Sequence, residues 1–153
     1  MIRETFSCQK AGYQMTAEVT LLNGDGLVII SGGDLPHLGT VNFYSPEKMQ
    51  LVFSESEAVK EVTIPDFSLK TVRFSSHSGR FHKEDVLAEA FLAAVKNSSL
   101  TNWLITAGVH INGITQEQIE ASYKMAKNLG EQTAHWLQTI KIEKIAPRYQ
   151  KKD

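Results

Sequence analysis

The stretch Gly12-Tyr13-Gln14-Met15-Thr16-Ala17-Glu18-Val19-Thr20-Leu21-Leu22-Asn23-Gly24-Asp25-Gly26-Leu27-Val28-Ile29-Ile30 decides the fold. Tyr13, Met15, Ala17, Val19 and Leu21 alternate with Gln14, Thr16, Glu18 and Thr20. Period-two alternation turns one set toward a core and the other toward water, so this is a half-buried strand. Asn23-Gly24-Asp25-Gly26 supplies residues that tolerate positive φ, which predicts a hairpin with Leu27 to Ile30 returning beside the first strand. That returning run is apolar on both faces and reads as a central strand. Further strands are expected over Gly39–Tyr44, Met49–Phe53 and Leu69–Ser75. Between them, Ser54–Ser68 is polar, carries Pro65, and reads as a loop or excursion in which Val59–Ile64 can pair at an edge.

Past residue 82 the period changes. Val86, Leu87, Ala90, Phe91, Ala94 and Val95 fall at three- and four-residue spacings, one apolar stripe of a helix over Lys83–Lys96. Glu84 and Asp85 suit the positive end of its dipole. Leu100 to Ala107, rich in Trp103, Leu104 and Ile105, is a strand. A second helix then starts at Thr115 as N-cap, with Gln118 completing a capping box and Ile114 and Ile119 a hydrophobic staple. Its apolar face runs through Ala126, Leu129, Thr133, Trp136, Leu137 and Ile140. Gly130 is a weak point costing about 1 kcal/mol against alanine, so the helix either reaches about residue 140 or breaks there. The basic tail from Lys141, and in particular residues 142–153, is expected to fray. Strands first and helices later predict an α+β fold. The expected architecture is an antiparallel sheet of about five to six strands covered on one face by two helices, with residues 1–153 forming a single domain.

The chain has 153 residues, with 42% hydrophobic and 22% charged positions and a net charge of -1. A domain of that size buries enough surface to fold without a metal or disulfide. The charge balance offers no field to attract nucleic acid or a membrane surface. Cys8 is the single cysteine, so no disulfide forms within the chain. It lies near an N-terminus expected to be mobile, with no CxxC context. No 18-residue apolar run is present, and Met1-Ile2-Arg3-Glu4 lacks an apolar secretory core. A cytoplasmic protein is the simplest expectation.

Three polar clusters, each containing histidine, fall where strands should end. In Ser31-Gly32-Gly33-Asp34-Leu35-Pro36-His37-Leu38-Gly39 the two glycines permit positive φ and close approach of a ligand to backbone N–H groups. The bland alternative is an Asx-turn capping its own backbone. Ser76-His77-Ser78-Gly79-Arg80-Phe81-His82-Lys83-Glu84-Asp85 gathers His77, Arg80, His82 and Lys83 before a helix N-terminus. Free N–H groups there already favour an anion, so the cluster predicts a phosphate or carboxylate cradle. The alternative is a solvated loop with an acidic first turn. Ala107-Gly108-Val109-His110-Ile111-Asn112-Gly113 holds a histidine that a packing role would equally explain. The three histidines with Asp34 or Asp85 could ligate zinc or iron, but no HExxH or paired CxxC supports it. No GxSxG elbow, Walker loop or dinucleotide fingerprint appears.

The segments Gly32 to Gly39, His82-Lys83-Glu84-Asp85 and Ala107-Gly108-Val109-His110-Ile111 together resemble the LpdD-like prenylated-flavin chaperone family, over about residues 12–130. The resemblance implies a non-catalytic accessory protein. It would bind prenylated FMN made by a flavin prenyltransferase, or FMN itself, and deliver it to the catalytic subunit of a hydroxyaryl-acid decarboxylase. It implies cargo contacts at Asp34, His37, His82, Lys83, Asp85 and His110, with Gly32 and Gly33 admitting the flavin to the backbone. Lys83 and the following helix N-terminus would neutralise phosphate. His37 and His110 would donate to ring or ribityl oxygens, and Asp34 would fix an imidazole tautomer. Two positions depart from the pattern: Glu84 stands where a second aspartate is expected, and Asn112 where an acid is expected after the third histidine. The rival readings are a small metal- or histidine-dependent enzyme, such as a decarboxylase or lyase on an aryl carboxylate, and a structural subunit of a decarboxylase complex. The long second helix, with Tyr123 and Trp136, could dock a partner or a second copy.

Overall fold

The computed structural model describes residues 1–55, 58–64 and 69–150. Ten elements follow in order: β1 (Ile2–Lys10), β2 (Tyr13–Leu22), β3 (Asp25–Gly33), β4 (Thr40–Tyr44), β5 (Met49–Glu55), β6 (Ala58–Ile64), β7 (Lys70–Arg73), α1 (Asp85–Val95), β8 (Trp103–His110) and α2 (Gln116–Thr139). The class is α+β. Six strands form one sheet in the order β1-β2-β3-β8-β4-β7, and β5 and β6 form a separate two-stranded ribbon. Among the described residues no helix is long and apolar enough to cross a membrane.

The hairpin at residues 12–30 forms where its pattern places it. Asn23 and Gly24 take φ of 46° and 97°, the positive values that a two-residue primed turn requires. Tyr13, Met15, Ala17, Val19 and Leu21 are buried and their alternates are not. The sheet, however, is mixed rather than antiparallel throughout, because β3 and β8 run parallel from the Gly26–Trp103 pair to the Gly33–His110 pair. The cause is the helix: α1 carries the chain back to the end of the sheet where β3 begins, so the next strand runs in β3's direction.

Two segments are more ordered than their sequence suggests. Ile2–Lys10, expected to be mobile, pairs along its whole length with β2. Its turn is Ala11-Gly12, with Ala11 held at φ 51°, and alanine is not a residue that announces such a turn. Its alternation is faint because only Phe6 and Cys8 pack beneath α2. The tail beyond α2 lacks regular structure but is tied down as far as Ile145. The Asn23 amide donates to the Ile145 carbonyl at 3.0 Å and accepts from its N–H at 2.7 Å. Lys144 donates to Thr101 at 3.3 Å. Within Ser54–Ser68, Ala58–Ile64 pairs in full register with β5, while Pro65 lies outside the described residues.

Both helices cover the face that carries Met15, Val28, Ile30 and Ile105, all fully buried. Phe91 of α1 stands edge-on to Trp103 with ring centroids 6.3 Å apart. α2 begins with the expected capping box, Thr115 and Gln118 each bonding the other's backbone. It then runs unbroken through Gly130. A Cβ at Gly130 would lie 2.6 Å from the Phe91 carbonyl oxygen and 3.0 Å from the Ala94 methyl, so the glycine is where the two helices touch backbone to backbone. Gly130→Ala is therefore expected to destabilise the protein by about 1–3 kcal/mol through overpacking, although helix propensity alone predicts a gain of about 1 kcal/mol. Urea unfolding of both proteins reads the sign directly.

The pairing registers put four chain ends at one edge of the sheet. β3 and β8 finish there at Gly33 and His110, β4 starts there at Thr40 opposite Ala107, and β7 finishes there at Arg73 opposite Thr40. The polar segments that follow or precede these ends are thereby forced into one neighbourhood.

Candidate functional site

The loop between β3 and β4 is drawn tightly across the end of β8. Gly33 turns it with φ 77°, and the Asp34 N–H donates to the His110 carbonyl at 2.6 Å. The Gly39 N–H then donates to the Ala107 carbonyl at 3.1 Å. In between, the His37 carbonyl passes so close over Gly108 that any Cβ there would collide with it. Glycine at 108 is what lets the His37 loop lie flat on the strand.

His37, His82 and Glu84 converge as a result. The His37 and His82 rings are 4.6 Å apart, centroid to centroid. His37 Nε2 lies 3.3 Å from His82 Nδ1 and 3.2 Å from Glu84 Oε1, and His82 Nδ1 lies 3.3 Å from that same oxygen. The three side chains are 24%, 18% and 14% exposed, so the cluster is half-sunk but open on one side. Two of its outer atoms are held. His37 Nδ1 donates to the Leu35 carbonyl at 3.1 Å, because a carbonyl can only accept, and a neutral ring then keeps its lone pair on Nε2. The Lys83 N–H donates to Glu84 Oε2 at 2.9 Å, which aims Oε1 at the imidazoles. These three donor atoms have the convergence a ligand set needs.

His110 borders the cluster with its ring 6.3 Å from that of His37. The residue that fixes it is Asn112, whose carbonyl oxygen lies 3.0 Å from His110 Nε2 and therefore accepts from it, leaving Nδ1 as the basic nitrogen of a neutral ring. Asp34 accepts from the Asn112 backbone N–H at 2.8 Å. The carboxylate thus orders the loop that carries the histidine, one step removed from the tautomer role expected of it.

Comparison with known proteins places the chain. The family model for the prenylated flavin chaperone LpdD-like domain matches residues 9–138. The chain belongs to this LpdD-like family. Protein LpdD of Lactiplantibacillus plantarum is 33% identical over 149 residues, which is 97% of this chain and 96% of that protein. Among solved structures, a chaperone complex for yeast 20S proteasome assembly superposes with a TM-score of 0.40 and 9% identity. That alignment covers 85% of this chain and 99% of that one, a likeness too slight to bear on function. Membership in a chaperone family gives the chain an accessory role.

Not every residue singled out from the sequence joins the cluster of this LpdD-like chain. Asp85 is instead bound by Arg73 through two bonds of 3.1 and 2.7 Å. That contact ties the end of β7 to the first turn of α1 and holds the guanidinium pKa above its usual value, chiefly through the hydrogen bond. His77 and Arg80 sit exposed on a turn closed by the Ser76 N–H and the Arg80 carbonyl at 2.7 Å. Lys83 points into solvent. The space beside both glycines is taken by the chain itself: a Cβ at Gly32 would lie 2.6 Å from the Gln14 carbonyl oxygen, and one at Gly33 would meet the His110 carbonyl. Both positions are thus closed to any side chain by the chain's own backbone. The expected anion cradle at the helix start is likewise occupied, since Glu84 and Asp85 already place two carboxylates at the positive end of the dipole.

Glu84 and Asn112, the two departures from the expected pattern, prove to be the residues that organise the histidines. The signal in the sequence was the His82-Lys83-Glu84 spacing, which puts an imidazole and a carboxylate on the approach to one helix. A second concavity lies at the opposite end of the sheet. Its volume is about 660 Å³, and its lining includes Leu27, Phe43, Met49, Ile64, Trp103 and Leu104.

Proposed function

We propose that this chain holds prenylated FMN at the sheet edge formed by His37, His82, Glu84 and His110 and delivers it to the catalytic subunit of a hydroxyaryl-acid decarboxylase. The family membership supports the cargo class. The observation that carries the location is the meeting of three polar segments, distant in the chain, in one open cluster of imidazoles. His82 brings an N–H for a phosphate oxygen, while neutral His37 and His110, their N–H groups committed to Leu35 and Asn112, present lone pairs that accept from ribityl hydroxyls and the flavin ring N–H. A carrier must release what it binds, so several modest contacts on an accessible edge serve it better than an enclosed cavity. The role asks for no nucleophile and no general acid.

Magnitudes separate the contributors. Lys83 is exposed, and an exposed ion pair contributes about 0–1 kcal/mol. Half-buried histidines bonding a charged ligand contribute about 1.5–3 kcal/mol each. His82→Ala is therefore expected to weaken prenylated FMN binding by at least about tenfold. Leu104→Trp, which fills the cavity at the far end, should leave affinity within about twofold. Anaerobic calorimetric titration of both variants tests the location, and loss of binding in Leu104→Trp alone would move the cargo to the cavity. Loaded wild-type protein should also activate an apo-decarboxylase faster than free cofactor does. Turnover of a hydroxyaryl acid by the isolated chain would instead support the enzyme reading.

A further inference from the structure

His37 Nε2, His82 Nδ1 and Glu84 Oε1 form a nearly equilateral triangle with sides of 3.2, 3.3 and 3.3 Å. With His37 Nδ1–H committed to the Leu35 carbonyl, neutral His37 presents a lone pair at this triangle. Glu84 Oε1 presents another, and His82 Nδ1 brings at most one proton to share between them. With His37 neutral, hydrogen bonding alone leaves two acceptors facing each other across 3.2 Å. A cation between them satisfies all three atoms at once.

We propose that His37, His82 and Glu84 bind one divalent transition-metal ion. The geometry fits: ligands about 2.0 Å from a tetrahedral zinc ion lie about 3.3 Å from one another. The ligand chemistry fits as well, since two imidazoles with one carboxylate suit zinc, iron or cobalt better than calcium or magnesium. Two of the three outer atoms are placed as metal sites require. One imidazole donates its remote N–H to a backbone carbonyl and the carboxylate's second oxygen accepts a backbone N–H, the bonds that fix ligand orientation and raise basicity. The partly exposed setting leaves at least one coordination position for an oxygen ligand, water or the phosphate of a bound molecule. This inference concerns the ion alone and stands whether or not the cargo is a flavin.

The test uses tag-free, chelator-stripped full-length protein titrated with Co²⁺, followed by calorimetry and visible absorption. One Co²⁺ per chain is expected, with the d–d bands of a four- or five-coordinate ion. Losing an outer-atom partner typically costs about 10–100-fold in metal affinity, so His37→Ala, His82→Ala and Glu84→Gln should each cost at least about a hundredfold. His77→Ala, on the exposed turn, should cost nothing. Equal affinity in wild type and the three ligand variants, or loss in His77→Ala alone, would overturn the site. X-ray absorption on cobalt-loaded wild type reads the same claim without relying on a variant's folding. Two imidazoles in the first shell support it, and fewer contradict it.

Discussion

Gly108→Ala is expected to abolish prenylated FMN binding in a protein that still folds. The methyl group would stand where the His37 carbonyl lies. The sheet cannot yield there, because Gly108 is paired to Ser31 in the parallel ladder. The loop from Asp34 to Gly39 must therefore lift. Lifting it carries His37 off His82 and Glu84 and breaks the Gly39 bond to Ala107. Overpacking of this kind costs about 1–3 kcal/mol, within the stability of a domain of this size. The binding loss should exceed that of His82→Ala, since the whole His37 side of the cluster leaves. Circular dichroism together with cargo titration checks both halves of the expectation. Wild-type affinity in a folded Gly108→Ala protein would show that the loop's position does not matter to the cargo.

Phe91→Ala is expected to do the reverse. Phe91 is fully buried between the sheet and α2 and meets Trp103 edge-on. Truncating such a ring costs about 3–5 kcal/mol, the sum of lost transfer energy and the cavity left behind. At about 2–4 °C per kcal/mol for a chain of this length, the melting temperature should fall by roughly 6–20 °C. Cargo affinity at a temperature where the variant remains folded should be close to wild type, because Phe91 packs on Trp103, at the opposite end of β8 from His110. Thermal melts and low-temperature titration separate the two effects. A drop of less than about 1 kcal/mol, in the range of exposed substitutions, would mean that the helix–sheet core is not organised around this ring.

What the sequence discloses follows from range. The β2–β3 hairpin and both helices are specified by neighbours within a few residues, through alternation, a 3.6-residue stripe and the Thr115–Gln118 box, and all three appear where those signals lie. The direction of β8 is not a local property; it depends on the path α1 takes across the sheet. β1 escapes notice because an edge strand needs only Phe6 and Cys8 inward, too few positions to establish a period, and burial lifts the Cys8 thiol pKa without making it a site. The site shows the same division. His37, His82 and His110 are visible as histidines in turn-like settings, and their meeting is a reasonable inference from strand ends. The parts played by Glu84, Asn112 and Gly108 depend on contacts with segments far along the chain. Gly108 reads as an ordinary strand glycine until the His37 loop is seen to cross it.

A crystal structure of the protein grown anaerobically with prenylated FMN locates the cargo outright. Density for the flavin is expected against His37, His82 and His110 at the edge where β3 and β8 end. Density in the 660 Å³ cavity beside Phe43 and Leu104 instead, with the histidine edge empty, would contradict that position.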